Sequence, residues 1–172
     1  PIESRRRFAT GRMAHLMLEN SELLYGVDFS KHARVNAILQ DPTLFPVLLS
    51  PKGSSLNLST LPSPSSGIPN GERELVVFVI DGTWQTANKM MRLSENLHAL
   101  PRICFSPRQQ SRFHVRRQPR KNFVSTLEAI HETLLLLEGS ENRAVFDRLF
   151  VPFDELVERQ LDCTRRLKGT GY

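Results

Sequence analysis

The chain has 172 residues, 40% of them hydrophobic and 24% charged, with a formal net charge of +5. That length suits one domain with a real core, and the composition is that of a globular protein rather than a disordered, collagenous or disulfide-stapled one. No stretch approaches the roughly 18 apolar residues needed to cross a bilayer, and the two cysteines, Cys104 and Cys163, lack the paired spacing of a zinc site, so no metal is expected. Residues 1–7 are charged, with no apolar core behind them, so a signal peptide is not expected. With so few cysteines, a reduced cytoplasmic compartment is the default. The sequence starts at Pro1 rather than at methionine, from which a fragment or trimmed chain is expected.

Residues 10–18 read as a short helix, with Met13, Leu16 and Met17 at helical spacing. Residues 23–27 read as a strand. Ser30 is expected to cap a second helix through residue 39, ended by Asp41-Pro42. Residues 44–49 form a short strand, with Pro46 suggesting an irregular or edge start. Residues 54–71, rich in Ser, Pro, Gly and Asn, read as a mobile loop. A buried strand follows at 74–80, a helix at 83–97 and a strand at 102–105. Ser125 or Thr126 caps a helix through 137, and Glu128, three residues after Ser125, gives the pattern of a capping box. A long amphipathic helix is expected over 146–167. Alternating strands and helices predict an α/β fold: a mostly parallel sheet with helices on both faces.

Asp81-Gly82-Thr83-Trp84 stands where the 74–80 run ends and a helix begins, and Trp84 is the chain's single tryptophan. Ligands of α/β proteins bind at the carboxyl ends of strands, where helix N-termini present unpaired N–H groups. The alternative is a capped turn, with Thr83 or Asp81 as N-cap and Trp84 as a core anchor. Three loops are expected to meet at that edge: Leu49-Ser50-Pro51, Ile80-Asp81-Gly82-Thr83, and the stretch running into Ser125-Thr126.

The charge is concentrated. From Asn96 to Leu127 there is no acidic residue, while Arg102, Arg108, Arg112, Arg116, Arg117, Arg120 and Lys121 fall in that window. Without those seven cations the rest of the chain carries −2. Arg5, Arg6, Arg7 and Arg12 form a second cluster. Basic charge gathered in this way, interleaved with Phe113 and His114, fits a polyanion such as nucleic acid better than a merely solvated loop.

These residues resemble the DTW-domain family. Asp81-x-Thr83-Trp84 is similar to its signature. Thr10-Gly11-Arg12-Met13-Ala14 resembles its N-terminal helix motif, and Val47-Leu48-Leu49-Ser50-Pro51 its "LLYP" element. Leu100-Pro101-Arg102, Ser111-Arg112-Phe113-His114-Val115-Arg116 and Ser125-Thr126-Leu127-Glu128-Ala129 resemble the later blocks, in order. The resemblance covers nearly the whole chain, as a single domain over 1–172. Family members usually carry a cysteine-rich segment, a zinc site, before the Thr-Gly-Arg motif; the sequence starts after that position, so either the segment has been removed or this member is without it.

The resemblance implies a tRNA-uridine aminocarboxypropyltransferase. Such an enzyme transfers a 3-amino-3-carboxypropyl group from S-adenosylmethionine (SAM) to N3 of a uridine and releases methylthioadenosine. It also implies a SPOUT-like fold with a C-terminal trefoil knot, which pattern reasoning would not propose, since knots are rare. Asp81, Thr83 and Trp84 become the catalytic set. A free aspartate titrates at about 3.9 and is a poor base for a uridine imide unless burial raises it, so Asp81 either accepts the N3 proton or fixes the substrate or the SAM amino group. Trp84 stacks on a base or adenine or, the favoured reading, packs beneath the loop. Leu49, Ser50, Pro51, Ile80, Asp81 and Gly82 line the cofactor pocket, joined by Leu100, Ser125, Thr126 and Leu127. Thr126 either caps its helix or contacts SAM. Arg112, Arg116, Arg117, Arg120 and Lys121 grip RNA phosphates with His114, opposite Arg5, Arg7 and Arg12; His15 is a further possible contact.

Three rivals remain: a SAM-dependent RNA methyltransferase, a non-catalytic RNA-binding module, and a nucleotide hydrolase. The last lacks a phosphate loop and a second carboxylate near Asp81. The sequence leaves the oligomeric state, a monomer included, and the identity of the tRNA open.

Overall fold

The computed structural model describes residues 10–62, 67–107, 111, 124–155 and 158. Four strands make one sheet: β1 (Leu44–Leu49), β2 (Ser55–Asn57), β3 (Glu74–Phe78) and β4 (Arg102–Cys104). Their order is β2-β4-β1-β3, and every pairing is parallel. Leu44 to Leu48 of β1 lie opposite Glu74 to Phe78 of β3, while Leu48 and Leu49 face Arg102 and Ile103 of β4. All four carboxyl ends therefore leave the sheet in the same direction.

Helices α1 (Thr10–Met17), α2 (Ala33–Gln40), α3 (Trp84–Leu93), α4 (Thr126–Glu138) and the short α5 (Arg143–Phe146) surround the sheet. The period-2 alternation of side chains assigns each strand residue to a layer. Phe45, Val47, Leu75, Val77 and Ile103 point to one face, where they pack with Leu136 and Leu137 of α4. Phe78 and Ile80 point to the other, against Val35 of α2 and Met90 and Met91 of α3. A third apolar cluster joins α1 to α4 through Ala14 and Leu127, closed by Leu149, Phe150 and Phe153. The expected α/β architecture with helices on both faces is present, and β1, β4, α1 and α4 fall within a residue or two of their expected bounds.

Four expectations are corrected. Residues 23–27 are not a strand: Leu24 and Val27 pack onto the α2–α3 layer as irregular chain. Nearby, Ser94 Oγ accepts from the Phe29 amide at 3.0 Å, and Asn96 Nδ2 donates to the Phe29 carbonyl at 3.0 Å. Backbone polar groups there are satisfied by side chains instead of a ladder. Ser30 does not cap α2. Its hydroxyl is held by Asp28 at 2.6 Å, and His32 takes the cap by accepting from the Val35 amide. The supposed loop 54–71 contains β2, followed by a 3₁₀ turn at Leu58–Thr60 capped by Asn57; a three-residue strand completed by one neighbour is too short to show alternation. The single helix expected from 146 is interrupted: α5 passes into a 3₁₀ turn at Asp147–Leu149 before helix resumes at 150–155. His131 Nε2 and Asp147 Oδ1, 2.8 Å apart, fasten that break to α4.

Residues 50–54 carry the chain from β1 across β4 to β2. Gly53 sits at φ +74°, a conformation side-chain-bearing residues rarely adopt. Arg102 Nη1 donates to the Lys52 carbonyl at 3.3 Å beneath this turn. The crossing lies on the α3 side of the sheet, where Lys52 Nζ reaches Asn88 Oδ1 of α3 at 2.6 Å.

Candidate active site

Beyond β3 the chain continues through Val79 and Ile80 to Asp81, then turns into α3. Thr83 is the N-cap: its Oγ1 accepts from the Thr86 amide at 3.1 Å and lies 2.7 Å from Thr86 Oγ1. That engagement makes Thr83 a structural support for the turn. Asp81, by contrast, is turned toward α1 and α4.

Asp81 is half-buried between α1 and α4. Thr126 Oγ1, in the first turn of α4, donates to Asp81 Oδ1 at 2.6 Å. Thr126 is available for this because Ser125 caps the helix. Ser125 Oγ accepts from the Glu128 amide at 3.3 Å, and Glu128 Oε2 accepts from the Ser125 amide at 2.7 Å, the reciprocal pair of a capping box. The Ser111 hydroxyl also donates to Glu128 Oε2, at 2.7 Å, within a buried site. The entry to α4 is thus held by buried hydrogen bonds that fix where Thr126 stands.

The other carboxylate oxygen faces α1. Gly11 is buried, and a Cβ built on it would lie 2.7 Å from Asp81 Oδ2 and 2.8 Å from Cγ. Only a residue without a side chain lets α1 approach so closely. Among the described residues, no donor is hydrogen-bonded to Oδ2. Segments 70 and 45 residues away from Asp81 in sequence, around Gly11 and Thr126, therefore converge on one carboxylate.

The apolar residues expected to line a cofactor pocket have mixed placements. Leu49 packs in the α4-side cluster, Ile80 and Leu100 in the α2–α3 cluster, and Leu127 is fully buried between α1 and α4. Their side chains are taken up by core packing. Ser50 is half-buried, its amide donating to the Ile103 carbonyl at 2.9 Å and its Oγ accepting from the Lys52 amide at 3.3 Å. Pro51 is exposed, and Gly82 lies half-buried at the turn. Trp84 does not pack beneath the loop: it is 43% exposed at the start of α3, with Lys52 Nζ 4.4 Å from its ring centroid.

Arg12 is exposed on α1, one residue from the Gly11 contact. Arg5, Arg7, Arg112, His114, Arg116, Arg117, Arg120 and Lys121 lie outside the described residues. His15 Nδ1 is 2.8 Å from Ser21 Oγ, a local tie at the end of α1. Burial pushes the Cys104 thiol up, which keeps it neutral near pH 7 and makes it a poor nucleophile. Among the described residues, no three His, Cys, Asp or Glu side chains are grouped to hold a metal ion.

Sequence reasoning missed two residues whose contacts shape this edge. Gly11 carried a signal, since a glycine inside a helical pattern costs stability and asks for a packing reason. Lys52 carried none, because its partners, Trp84 and Asn88, are brought to it only by the crossing of β4.

Residues 1–161 match the family model for the DTW domain. The chain belongs to the DTW-domain family. It is also 28% identical, over 167 residues, to tRNA-uridine aminocarboxypropyltransferase 2 of Drosophila melanogaster, an alignment covering 94% of this chain and 62% of that protein. The chain thus spans about three-fifths of the length of that relative. No solved structure matches it. In this DTW domain the signature aspartate is the point where the Thr-Gly-Arg helix, the signature turn and the Ser-Thr helix meet.

Proposed function

We propose that this DTW domain transfers the 3-amino-3-carboxypropyl group of SAM to N3 of a uridine in tRNA. The observation that carries the reading is the convergence of Gly11 and Thr126 on Asp81, at the carboxyl edge of an all-parallel sheet. The fly relative, a tRNA-uridine aminocarboxypropyltransferase by name, supplies the reaction class.

The residues at this edge fit SAM. Its ammonium needs an ordered acceptor, and Asp81 Oδ2 faces α1 with no donor among the described residues. Its carboxylate suits main-chain N–H groups at the start of a helix, and α3 and α4 both begin here. Asp81 and the main chain of residues 49–51, 80–82 and 125–127 would hold it, with Leu100 in the wall. When bound, SAM supplies a sulfonium-activated γ-carbon whose capture by a nucleophile releases methylthioadenosine.

The chain's own residues position the reactants. Thr126 holds Asp81 Oδ1, so the carboxylate cannot rotate freely. Gly11 leaves room for Oδ2, which would accept from an N–H donor at the reacting centre: either uridine N3–H, whose proton it would take as the N3–carbon bond forms, or the SAM ammonium, in which case the N3 proton would pass to water. Holding partners in one attack geometry is worth several orders of magnitude in rate. Arg12 and the basic residues of 102–121 supply phosphate contacts for tRNA. A SPOUT-like, trefoil-knotted C-terminal half and a cytoplasmic location belong to the same reading; the all-parallel sheet is compatible with the first, and the described residues contain no helix long and apolar enough to cross a membrane.

The test is to incubate the chain with SAM and unmodified tRNA and identify the products by mass spectrometry. Methylthioadenosine with the matching mass gain on uridine is expected. S-adenosylhomocysteine would make the protein a methyltransferase, and no product together with no SAM binding would leave an RNA-binding module. Asp81→Asn keeps the shape and removes the charge, so turnover is expected to fall sharply; near-normal turnover would remove Asp81 from the chemistry.

A further inference from the structure

We infer that Lys52, Trp84 and Arg102 form an RNA-binding ledge beside the reaction site, taking a base on the indole and its phosphate on the two cations. This rests on the tRNA reading above and specifies a substrate subsite within it.

The exposed indole begins α3, three residues after Asp81. Lys52 Nζ stands 4.4 Å from its centroid and is steadied by Asn88 Oδ1 at 2.6 Å. Arg102 reaches the same turn through the Lys52 carbonyl. Gly53 holds the turn at φ +74°, and a Cβ there would lie 2.9 Å from Arg102 Nη1, so the guanidinium lies close against this turn. Among the described residues neither cation has an acidic partner, unlike Arg34, which is paired with Glu22. Two uncompensated cations held at one turn beside an exposed aromatic ring match what single-stranded RNA offers at each nucleotide, an anionic phosphate next to a flat base. A cation already seated at the indole also suits a base–phosphate unit better than an apolar ligand. The arrangement serves an unpaired uridine, whose N3 must be out of a Watson–Crick pair before it can react.

Trp84 is the chain's only tryptophan, so its fluorescence reports this position alone. Titration with unmodified oligouridylate is expected to quench the emission saturably. Lys52→Gln and Trp84→Leu, followed by the anisotropy of end-labelled oligouridylate, are each expected to weaken binding about tenfold. Lys52→Gln should also lower the dependence on log salt by about one unit, as the loss of a phosphate contact does. Lys89→Gln removes the same charge from an exposed position on α3 and is expected to keep the wild-type affinity. Binding without any change in Trp84 emission, or wild-type affinity in both ledge variants, overturns the inference. SAM binding by calorimetry separates the two readings. A chain that takes up SAM but no oligouridylate overturns the ledge and leaves the transferase standing, whereas one that takes up neither overturns both.

Discussion

Gly11→Ala tests the link between α1 and the proposed reaction site. The added Cβ would lie 2.7 Å from Asp81 Oδ2, 2.8 Å from Cγ and 3.0 Å from Cβ. Ordinary contact begins near 3.4 Å, so the carboxylate or the helix must give by roughly 0.7 Å. Asp81 is not a loose neighbour, because Thr126 holds Oδ1 at 2.6 Å. Moving the carboxylate by that amount stretches the bond to about 3.3 Å, outside the useful range for O–H···O. Stability responds to two opposing effects. Alanine gains about 1 kcal/mol over glycine in a helix, while overpacking costs about 1–3 kcal/mol, so the net loss is expected to be about 2 kcal/mol or less. Activity has no such compensation, since a misplacement approaching 1 Å can cost on the order of a hundredfold. The assay is kcat/KM from methylthioadenosine release, read beside the thermal midpoint. A large fall in kcat/KM with a small change in Tm is expected. Wild-type kcat/KM in a folded Gly11→Ala chain would refute the claim that Asp81's position governs the reaction.

Other outcomes follow from the same contacts. Thr126→Val removes the donor to Asp81 and is expected to lower kcat, with Thr126→Ser restoring most of it; equal activity in the valine and serine variants would show that the hydroxyl does not matter. Binding of tRNA is expected to fall by about 10³-fold or more between 50 and 200 mM salt if six or more phosphates are engaged, and salt-independent binding would reject the basic segment as the phosphate grip. The side-chain hydrogen bond from Arg34 holds the Glu22 carboxyl below its ordinary value. A lowered folded-state value means a stabilisation present above the ordinary carboxylate range and lost as pH falls through the folded value. Thermal midpoints followed through that acid range should decline more steeply for the wild type than for Arg34→Gln, and identical slopes would dismiss the pair.

Short-range signals in the sequence carried far along this chain. The apolar run at β1, the capping-box spacing at Ser125 and Glu128, and the turn at Asp81 to Thr83 are all local, and each stands where expected. The expected strand at 23–27 failed because an apolar run only asks to be buried; here Phe29, Ser94 and Asn96 tie the neighbouring chain to a helical layer. The loop expected over 54–71 hid β2 because three residues cannot display a period. Within the candidate site, the motif order pointed to Asp81 and Thr126, but their contacts came only with the structure: Ser125 caps α4, Thr126 donates to the Asp81 carboxylate, and Thr83 caps α3.

By itself the sequence determined the α/β class, most helix and strand positions, the basic window and the family, because each rests on residues close together in the chain or on motifs in a fixed order. Only the tertiary structure decided the strand order β2-β4-β1-β3, the seating of Gly11 and Thr126 on Asp81, and the meeting of Lys52 with Trp84. These depend on segments tens of residues apart, and no local propensity records which of them will touch once the sheet is assembled.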